Sequence, residues 1–244
     1  MSSTVTPYNS ESGKKEQVAE MFDNIAHRYD FLNQLLSLGI HKGWRKKAVR
    51  KLEEIHPLTI LDVACGTGDF AIESFKRLQP EKVTGVDISE GMMKIGREKL
   101  EAKKLSGKIS LVYGDSENLP FAENSFDAAT VGFGVRNFEN LEKGLAGIFR
   151  VLKPGGKLVV LEFSKPRKFP VKQLYRFYFL RVTPFIGKLF SKDSRAYSYL
   201  PESVNAFPDG EEFMRRMEKT GFSSVSWQPL TFGIASVYTG IKPQ

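Results

Sequence analysis

At 244 residues with 41% hydrophobic side chains, the chain is long enough for one sizeable core and too apolar to be disordered throughout. It has no apolar run near the length of a membrane span, no signal-peptide core at its N-terminus, and a single cysteine, Cys65, which excludes an internal disulfide. These features predict a soluble, cytoplasmic protein, and its net charge of +8 is concentrated between residues 165 and 195, which hold nine bases and one acid.

The N-terminal part reads as a polar tail followed by two helices. Residues 1–13 are predicted to be disordered, so a single folded domain is expected over 14–244. Apolar residues then recur at spacings of three and four, which predicts one helix face: Val18, Met21, Phe22, Ile25, Tyr29, Leu32 and Leu36. A second helix is predicted over Trp44–Ile55, so 14–56 form an N-terminal helical segment. The cluster His41-Lys42-Gly43-Trp44-Arg45 is interpreted as a solvated helix face with Trp44 buried, in preference to a ligand-binding cluster.

Strands and helices alternate from residue 60 onwards, which predicts an α/β fold with a doubly wound, Rossmann-like, mostly parallel sheet. The predicted strands are Ile60–Val63, Val83–Asp87, Ile109–Tyr113, Ala128–Phe133 and Lys157–Phe163. The predicted helices are Asp69–Leu78, Ser89–Leu105 with Ser89 as N-cap, Asn140–Leu152 and, later, Gly210–Thr220. Two extended segments without a helix between them, Phe222–Gln228 and Ile234–Ile241, predict an antiparallel edge to this sheet. The segment 166–208 is expected to form a helical cap.

A glycine turn follows the first strand of the sheet. The stretch TILDVACGTGDF places Asp62 in an apolar strand and then Gly66, Thr67 and Gly68 in a tight turn before the next helix. A turn of this kind brings backbone N–H groups and a helix N-terminus close to a ligand. Asp87 ends the second strand 19 residues after Gly68, where an acid grips the hydroxyls of a nucleotide ribose. Cys65 is interpreted as a small turn residue and not as a nucleophile, because no histidine is near it in sequence.

Acids at three neighbouring strand ends decide which nucleotide fits. Asp62, Asp87 and Asp115 would repel a pyrophosphate, which argues against NAD. They suit S-adenosylmethionine, which carries an ammonium group for Asp62, a ribose for Asp87 and an adenine amino group for Asp115. The chain is also too short to supply a second half-fold for a nicotinamide.

The chain resembles the class I S-adenosylmethionine-dependent methyltransferases and, more narrowly, the ubiquinone/menaquinone biosynthesis C-methyltransferases. The glycine turn, the acid at Asp87 and four further motifs carry this resemblance: FDNIAHRYD from Phe22, FGVRN from Phe133, LKPGG from Leu152 and LEFSKP from Leu161. The resemblance covers the chain from Val18 onwards and implies cofactor contacts at Thr67, Asp87, Asp115 and Ser116. Relatives often have Asn-Ala where this chain has Asp115-Ser116, and many have a cofactor-contacting Ser where it has Gly132, so a contact at 132 is left to the backbone or is lost.

The resemblance implies methyl transfer to a ring carbon of a prenylated quinol. In-line displacement at a sulfonium requires no metal, and His27, His41 and His56 are scattered in the sequence, so no metal site is predicted. The electron-rich reduced ring is the expected nucleophile, and a base or an anion-stabilising group should face it. Similarity to the family points to Arg136, Asn137 and Tyr29 around the acceptor. A guanidinium is too basic to act as a simple base, so Arg136 is predicted to orient a water or to stabilise a phenolate. Structural roles, an ion pair for Arg136 and helix packing for Tyr29, remain open.

The basic segment has an amphipathic pattern. On a helical wheel its apolar residues, Val171, Leu174, Tyr175, Tyr178, Phe179 and Val182, share one arc, while Lys172, Arg176 and Arg181 lie outside it. The segment's nine bases are Lys165, Arg167, Lys168, Lys172, Arg176, Arg181, Lys188, Lys192 and Arg195, and its acid is Asp193. This pattern predicts peripheral contact with the inner face of an anionic membrane, in which a polyprenyl substrate would dissolve. A cap helix packed on the domain's own core, or a lid over the quinol, fits the same pattern.

Several functional alternatives remain open at the level of sequence. The C-methylation step of ubiquinone synthesis, both quinone pathways, and a methyltransferase acting on another small molecule compete with the menaquinone reaction, which the overall resemblance favours. A nucleic-acid methyltransferase is disfavoured because the fourth strand end lacks the Asn/Asp-Pro-Pro-aromatic run of DNA amino-methyltransferases. A non-catalytic binding protein is disfavoured by the intact acids and glycine turn. A homodimer is compatible with the sequence, which does not determine the oligomeric state.

Overall fold

The protein forms one seven-stranded sheet in a computed structural model that describes residues 5–8, 10–182 and 195–244. The strands are β1 (Thr59–Val63), β2 (Lys82–Asp87), β3 (Ile109–Tyr113), β4 (Phe126–Gly132), β5 (Leu152–Phe163), β6 (Ser223–Leu230) and β7 (Ala235–Ile241). Their order is β3-β2-β1-β4-β5-β7-β6, and β7 runs antiparallel to both of its neighbours. The other neighbouring pairs are parallel, which confirms the predicted doubly wound α/β class.

Helices cover the sheet and one of its ends. Those of the described residues are α1 (Lys14–Leu36), α2 (Ile40–Arg50), α3 (Asp69–Leu78), α4 (Glu90–Ala102), α5 (Leu141–Val151), α6 (Val171–Phe177), α7 (Arg195–Ala206) and α8 (Glu211–Thr220). Helix α3 has the predicted bounds. Ser89 caps α4 as predicted, because its hydroxyl accepts a hydrogen bond from the backbone N–H of Met92.

The second helix begins four residues before its predicted start and ends five before its predicted end. Gly39 has a φ of 77°, so the chain turns sharply after α1 and re-enters a helix at Ile40. Gly43 lies inside α2, and a short 3₁₀ turn, Glu53–Ile55, follows it. This earlier start places His41 on the first turn of a helix, where it is buried and not solvated as predicted.

Helix α1 crosses the carboxyl ends of the parallel strands and packs against α7. Its apolar face forms a separate small core with that helix, which comprises Val18, Met21, Ile25, Leu32, Ala196 and Tyr199. Residues of the N-terminal segment predicted as a tail contact the same region: Arg195 donates to the carbonyl of Pro7, and Gln17 accepts from the N–H of Tyr8. Helix α1 therefore covers the carboxyl ends of the strands, where ligands bind in this fold.

Helix α6 and the π-helical turn that follows it, Tyr178–Val182, form the first part of the predicted cap. Five residues of its predicted apolar arc line a large cavity: Val171, Leu174, Tyr175, Tyr178 and Val182. The bases Lys172, Arg176 and Arg181 are exposed. The side chain of Phe179 lies outside the described part of the structure. The predictions for Lys188, Lys192 and Asp193 fall outside the described residues.

Candidate active site

The glycine turn between β1 and α3 has the tight geometry predicted for it. Gly66 and Gly68 have φ angles of 52° and 74°, in the left-handed region where glycine is not strained. Ala64 shares this region with a φ of 54°, which is uncommon for a residue with a Cβ. The N–H of Gly66 donates to Oδ2 of Asp87 at 2.7 Å. The predicted turn and the predicted ribose-binding acid are therefore in direct contact.

Asp87 ends β2 and is half-buried. Its second carboxylate oxygen accepts from the N–H of Ser89 at 2.8 Å, which fixes the side chain at the start of α4. Burial raises the pKa of this carboxyl, an effect that the backbone donors oppose. Asp87 lines a small cavity, so its position fits the predicted contact with a ribose.

Asp62 is fully buried under the glycine turn. Its two oxygens accept from the hydroxyl of Thr130 at 2.7 Å and from the N–H of Ala71 at 3.0 Å, which tie α3 and β4 to β1. Burial raises the pKa of this carboxyl to about 7. Asp62 also lines the wall of the larger cavity, so its proposed contact with an ammonium group coexists with this structural role.

Asp115 and Ser116 follow β3 and line the same small cavity as Asp87. Oδ2 of Asp115 pairs with the amino group of Lys15, from α1, at 2.6 Å. The small cavity measures about 70 Å³. Helix α1 forms part of its wall through Lys15, Phe22 and Tyr29, so this helix covers the small cavity.

Thr67 is held by α1 in this arrangement. Its hydroxyl donates to Oδ1 of Asp30 at 2.7 Å, and the amino group of Lys99 donates to Thr67 at 3.0 Å. Lys99 also pairs with Asp30 at 2.6 Å and with Asp69 at 2.7 Å. Nearer the N-terminus of α1, Asp23 accepts from the hydroxyl of Ser89 at 2.6 Å. Polar contacts thus hold α1 against the glycine turn and against the turn before α4.

Gly132 has a steric reason for lacking a side chain. A Cβ at this position would lie 2.6 Å from Cδ2 of Phe70. The ring of Phe70 therefore fills the space that a side chain at position 132 would need. Phe133, the next residue, has a φ of 57° and turns its ring towards Phe163, with 4.7 Å between the ring centroids.

A large cavity of about 890 Å³ opens beside the glycine turn. Its wall is mainly aliphatic and aromatic, and it shares with the small cavity the residues Phe22, Tyr29, Ala64, Gly66, Gly132 and Phe133. An apolar wall of this size suits a hydrophobic ligand of considerable length. The two cavities meet at the carboxyl ends of β1 and β4, so ligands in each would lie side by side.

Arg136 lines the large cavity and pairs with a buried acid. Its Nη1 lies 2.8 Å from Oε1 of Glu162, and both side chains are almost fully buried. The same nitrogen donates to the carbonyl of Phe133, and the guanidinium lies 5.5 Å from the ring centroid of Phe163. Within the described part of the chain, the buried Nε of Arg136 has no hydrogen-bond partner. Because this nitrogen has almost no accessible surface, Nε itself does not face the cavity.

The other two predicted acceptor residues lie at different places. Tyr29 lines both cavities, and burial raises the pKa of its phenol. Asn137 lines the small cavity, where its side-chain oxygen accepts from the hydroxyl of Tyr199 at 3.2 Å. The structure thus brings Arg136 and Tyr29 to the large cavity and places Asn137 at the small cavity. Burial raises the pKa of the Cys65 thiol well above its usual value, which fits a packed turn residue and not a nucleophile.

Sequence reasoning missed three polar residues of this site: Asp30, Lys99 and Glu162. A signal for Asp30 was present, because Asp23 and Asp30 lie seven residues apart on one face of a predicted helix. Glu162 gave a weaker signal as a single acid inside an otherwise apolar strand, a position that needs a buried partner.

Comparison with known proteins agrees with this geometry. A model described as the ubiE/COQ5 methyltransferase family matches residues 10–242. A protein named demethylmenaquinone methyltransferase from Bacteroides fragilis is 53% identical over 238 residues, which cover 98% of this chain and 97% of that protein. The ubiquinone/menaquinone biosynthesis C-methyltransferase UbiE from Geotalea daltonii is 49% identical over 230 residues, which cover 94% of this chain and 97% of that protein.

Solved structures share the fold at much lower sequence identity. A SAM-dependent methyltransferase from Thermotoga maritima aligns with a TM-score of 0.62 and 22% identity, over 91% of this chain and 98% of that one. A phosphoethanolamine N-methyltransferase from Haemonchus contortus, solved with S-adenosyl-L-methionine, aligns with a TM-score of 0.57 and 17% identity, over 76% of this chain and 49% of that one. These likenesses show the class I methyltransferase fold.

Proposed function

The chain belongs to the ubiE/COQ5 methyltransferase family, and on this basis we propose that it methylates a ring carbon of a prenylated quinol with S-adenosylmethionine as donor. The observation that carries the proposal is the large apolar cavity, which shares a wall with the glycine turn and contains a buried arginine. The cavity provides room for a ring with an apolar tail next to the site of the donor.

The cofactor site is proposed at the small cavity and the glycine turn. Asp87 and Asp115 would bind the hydroxyls and the amino group of the nucleoside, and Ser116 and Thr67 would add neutral contacts. The turn at Gly66 and Gly68 and the buried Asp62 would hold the amino-acid end. When bound, S-adenosylmethionine supplies an electrophilic methyl group on a positively charged sulfur.

Arg136 is proposed to bind the oxygen of the acceptor ring. Glu162 and the carbonyl of Phe133 hold one nitrogen of its guanidinium, and Arg136 lines the cavity in which the substrate would bind. A phenolate forming in a water-poor cavity would be stabilised strongly by this cation. Tyr29 would contact the ring from α1, while Asn137 would support the cofactor side of the site.

Menaquinone synthesis is the proposed pathway. Two relatives with nearly the full length of this chain, from Bacteroides fragilis and Porphyromonas gingivalis, are named demethylmenaquinone methyltransferase, at 53% and 47% identity. The C-methylation step of ubiquinone synthesis is the second candidate, since the relative from Geotalea daltonii is named for both quinones.

We propose that the protein contacts a membrane peripherally and takes the quinol from it. Five large apolar side chains are exposed and also line the large cavity, so they surround its mouth: Leu38, Ile40, Leu174, Phe177 and Phe232. The flanking segments 31–52 and 165–182 hold six bases each and no acid, a charge that suits anionic lipid. No helix within the described ranges is both long and apolar enough to span a bilayer.

The proposal is tested by supplying labelled S-adenosylmethionine with demethylmenaquinol or with the methyl-accepting quinol of the ubiquinone pathway. Transfer to demethylmenaquinol in preference to the other quinol is the expected result. Preferential transfer to the second quinol would move the protein to ubiquinone synthesis. Tight cofactor binding without transfer to either quinol would contradict the proposed function.

A further inference from the structure

A line of four polar side chains crosses the wall of the large cavity. Tyr29, Asn33, Ser37 and His41 all line it, and they are spaced every fourth residue from α1 into α2. The hydroxyl of Tyr29 is hydrogen-bonded to the side chain of Asn33. This spacing places the four side chains along one face, although the chain turns at Gly39. His41 is the last residue of this line.

Hydrogen bonds determine which nitrogen of His41 carries the proton. The hydroxyl of Ser37 donates to the backbone carbonyl of Asn33 at 2.6 Å, and this carbonyl can only accept. Nδ1 of His41 lies 2.5 Å from the same hydroxyl oxygen. Since a serine has a single hydroxyl proton, Nδ1 must be the donor in this second contact. The neutral ring therefore has its lone pair on Nε2.

The surroundings of His41 favour the neutral ring. Burial lowers its pKa, and the nearby charge of Arg45 adds to this effect, as does Lys42. Asp69 and Asp30 act in the opposite direction without reversing the shift. Within the described ranges, no hydrogen bond to Nε2 is present. At neutral pH the ring, which lines the cavity, is therefore neutral and has its lone pair on Nε2.

The other acids of the cavity wall are already engaged. Asp30 holds Thr67 and Lys99, Asp69 pairs with Lys99 and Arg45, and Asp62 is fully buried with both oxygens accepting. Glu162 does not line the cavity. His41 is therefore the residue of this wall best suited to accept a proton from a ligand.

His41 lines the same cavity as Arg136 and the glycine turn. It lies one turn before Trp44, whose ring is 6.3 Å from the rings of both Phe133 and Phe163, and Phe163 stacks near Arg136. On its other side, the charges of Asp69 and Asp30 at the glycine turn act on its pKa. A ring against Trp44 and Phe163 would lie beside Arg136 and in the same cavity as His41.

We propose that Nε2 of His41 is the proton acceptor for the quinol hydroxyl during methyl transfer, an inference that rests on the proposed function. In a 1,4-dihydroxy ring, each unsubstituted carbon is adjacent to a carbon that bears a hydroxyl. Loss of that hydroxyl's proton to Nε2 supplies the electron pair with which the neighbouring carbon forms its bond to the methyl group, while the carbon–sulfur bond breaks. The carbon then bears both hydrogen and methyl next to a carbonyl.

Aromaticity returns in a second proton transfer. The hydrogen on the methylated carbon leaves to water, and the histidinium returns its proton to the carbonyl oxygen. One proton is released per turnover, and His41 ends neutral. The step needs no oxidant, because the ring begins and ends as a quinol.

The first test concerns the ligand-free protein. Nitrogen–proton NMR of the imidazoles, with His41 assigned by its loss in His41→Gln, is expected to show the proton on Nδ1 and a pKa below the ordinary 6.5. In Ser37→Ala the proton should no longer favour Nδ1, because the hydrogen-bond acceptor for Nδ1 is lost. A neutral ring protonated on Nε2, or a pKa above 6.5, would overturn the inference.

The second test is kinetic. His41→Gln is expected to lower kcat with demethylmenaquinol by about 10²- to 10⁴-fold, with little change in the Kd for S-adenosylmethionine. The unaltered protein should lose kcat as the pH falls below the pKa of His41, and the variant should not show this limb. Free imidazole should partly restore His41→Ala, which a purely structural role would not allow. His27→Gln, on the exposed face of α1, is the matched control and should leave kcat unchanged.

These measurements separate the two claims. Absence of transfer by the unaltered protein to any quinol would contradict the proposed function itself. Transfer that persists within threefold in His41→Gln across the pH profile would overturn only the role of His41.

Discussion

Arg136 and Glu162 form an ion pair in which both partners are almost completely buried, with 2.8 Å between Nη1 and Oε1. Two further backbone N–H groups, those of Arg136 and Phe163, donate to the same carboxylate. Burial raises the pKa of Glu162, and Arg136 is the strongest opposing influence. The pair thus holds a cation in the wall of an apolar cavity.

Replacement of Arg136 should lower both stability and activity, and a second substitution at Glu162 should restore only the stability. Arg136→Gln is expected to reduce kcat for the quinol by about 10²- to 10³-fold, because the developing phenolate loses its donor. It also leaves Glu162 buried and unpaired, at a cost of about 3–5 kcal/mol in the free energy of unfolding. The double variant Arg136→Gln/Glu162→Gln should recover much of the stability and none of the activity. Recovery of kcat in the double variant would exclude Arg136 from the reaction.

The contact between Asp30 and Thr67 should control access to the cofactor site. Asp30→Ala removes a hydrogen bond and an ion pair that hold α1 over the glycine turn. Because α1 would open more often, stopped-flow rates of both association and dissociation of S-adenosylmethionine should rise about fivefold, which corresponds to about 1 kcal/mol. Glu20→Ala, on the exposed face of the same helix, is the control. Equal rates in the two variants would mean that α1 does not gate the site.

We predict that Asp62 releases a proton when the cofactor binds. The pKa of this buried carboxyl is about 7, so near pH 6 it is mostly protonated in the free protein. An ammonium group bound beside it favours the ionised form and lowers the pKa, so a proton should leave on binding. Calorimetry in buffers of different ionisation enthalpy should detect close to one proton near pH 6 and none at pH 8. Unchanged release in Asp62→Asn would place the ammonium group elsewhere.

The mouth of the large cavity should bind anionic membranes. Leu38 is 81% exposed on the rim, and Leu38→Ser should lower the partition of the protein into phosphatidylglycerol vesicles about tenfold, since a leucine side chain contributes about 1–2 kcal/mol on burial. Leu58 is 54% exposed just before β1, at the opposite edge of the sheet. Leu58→Ser should therefore leave partition unchanged. Equal losses in both variants, or partition that does not weaken with salt, would contradict this surface.

The sequence predicted local structure well where one residue decides it. Asp69 after the glycine turn begins α3, and Ser89 caps α4, because both are properties of a few neighbouring residues. The acids at strand ends were also correctly placed, since the parallel strands β1, β2 and β3 bring their carboxyl ends to one edge.

The polar partners were not predicted, because they depend on packing between distant elements. Glu162 lies 26 residues from Arg136 and meets it only since β4 and β5 are neighbours in the sheet. His41 was misinterpreted as part of a solvated face because bases surround it in sequence. Its tautomer depends on Ser37, which lies on the other side of the turn at Gly39.

The most direct test compares methyl transfer to demethylmenaquinol kept reduced with transfer to its oxidised quinone, under the same labelled donor. The expected result is a methylated ring carbon from the reduced form and no product from the oxidised form, because only the quinol can supply the electron pair and the hydroxyl proton. Equal transfer to both forms, or labelled methyl on an oxygen in place of a ring carbon, would contradict the proposed reaction.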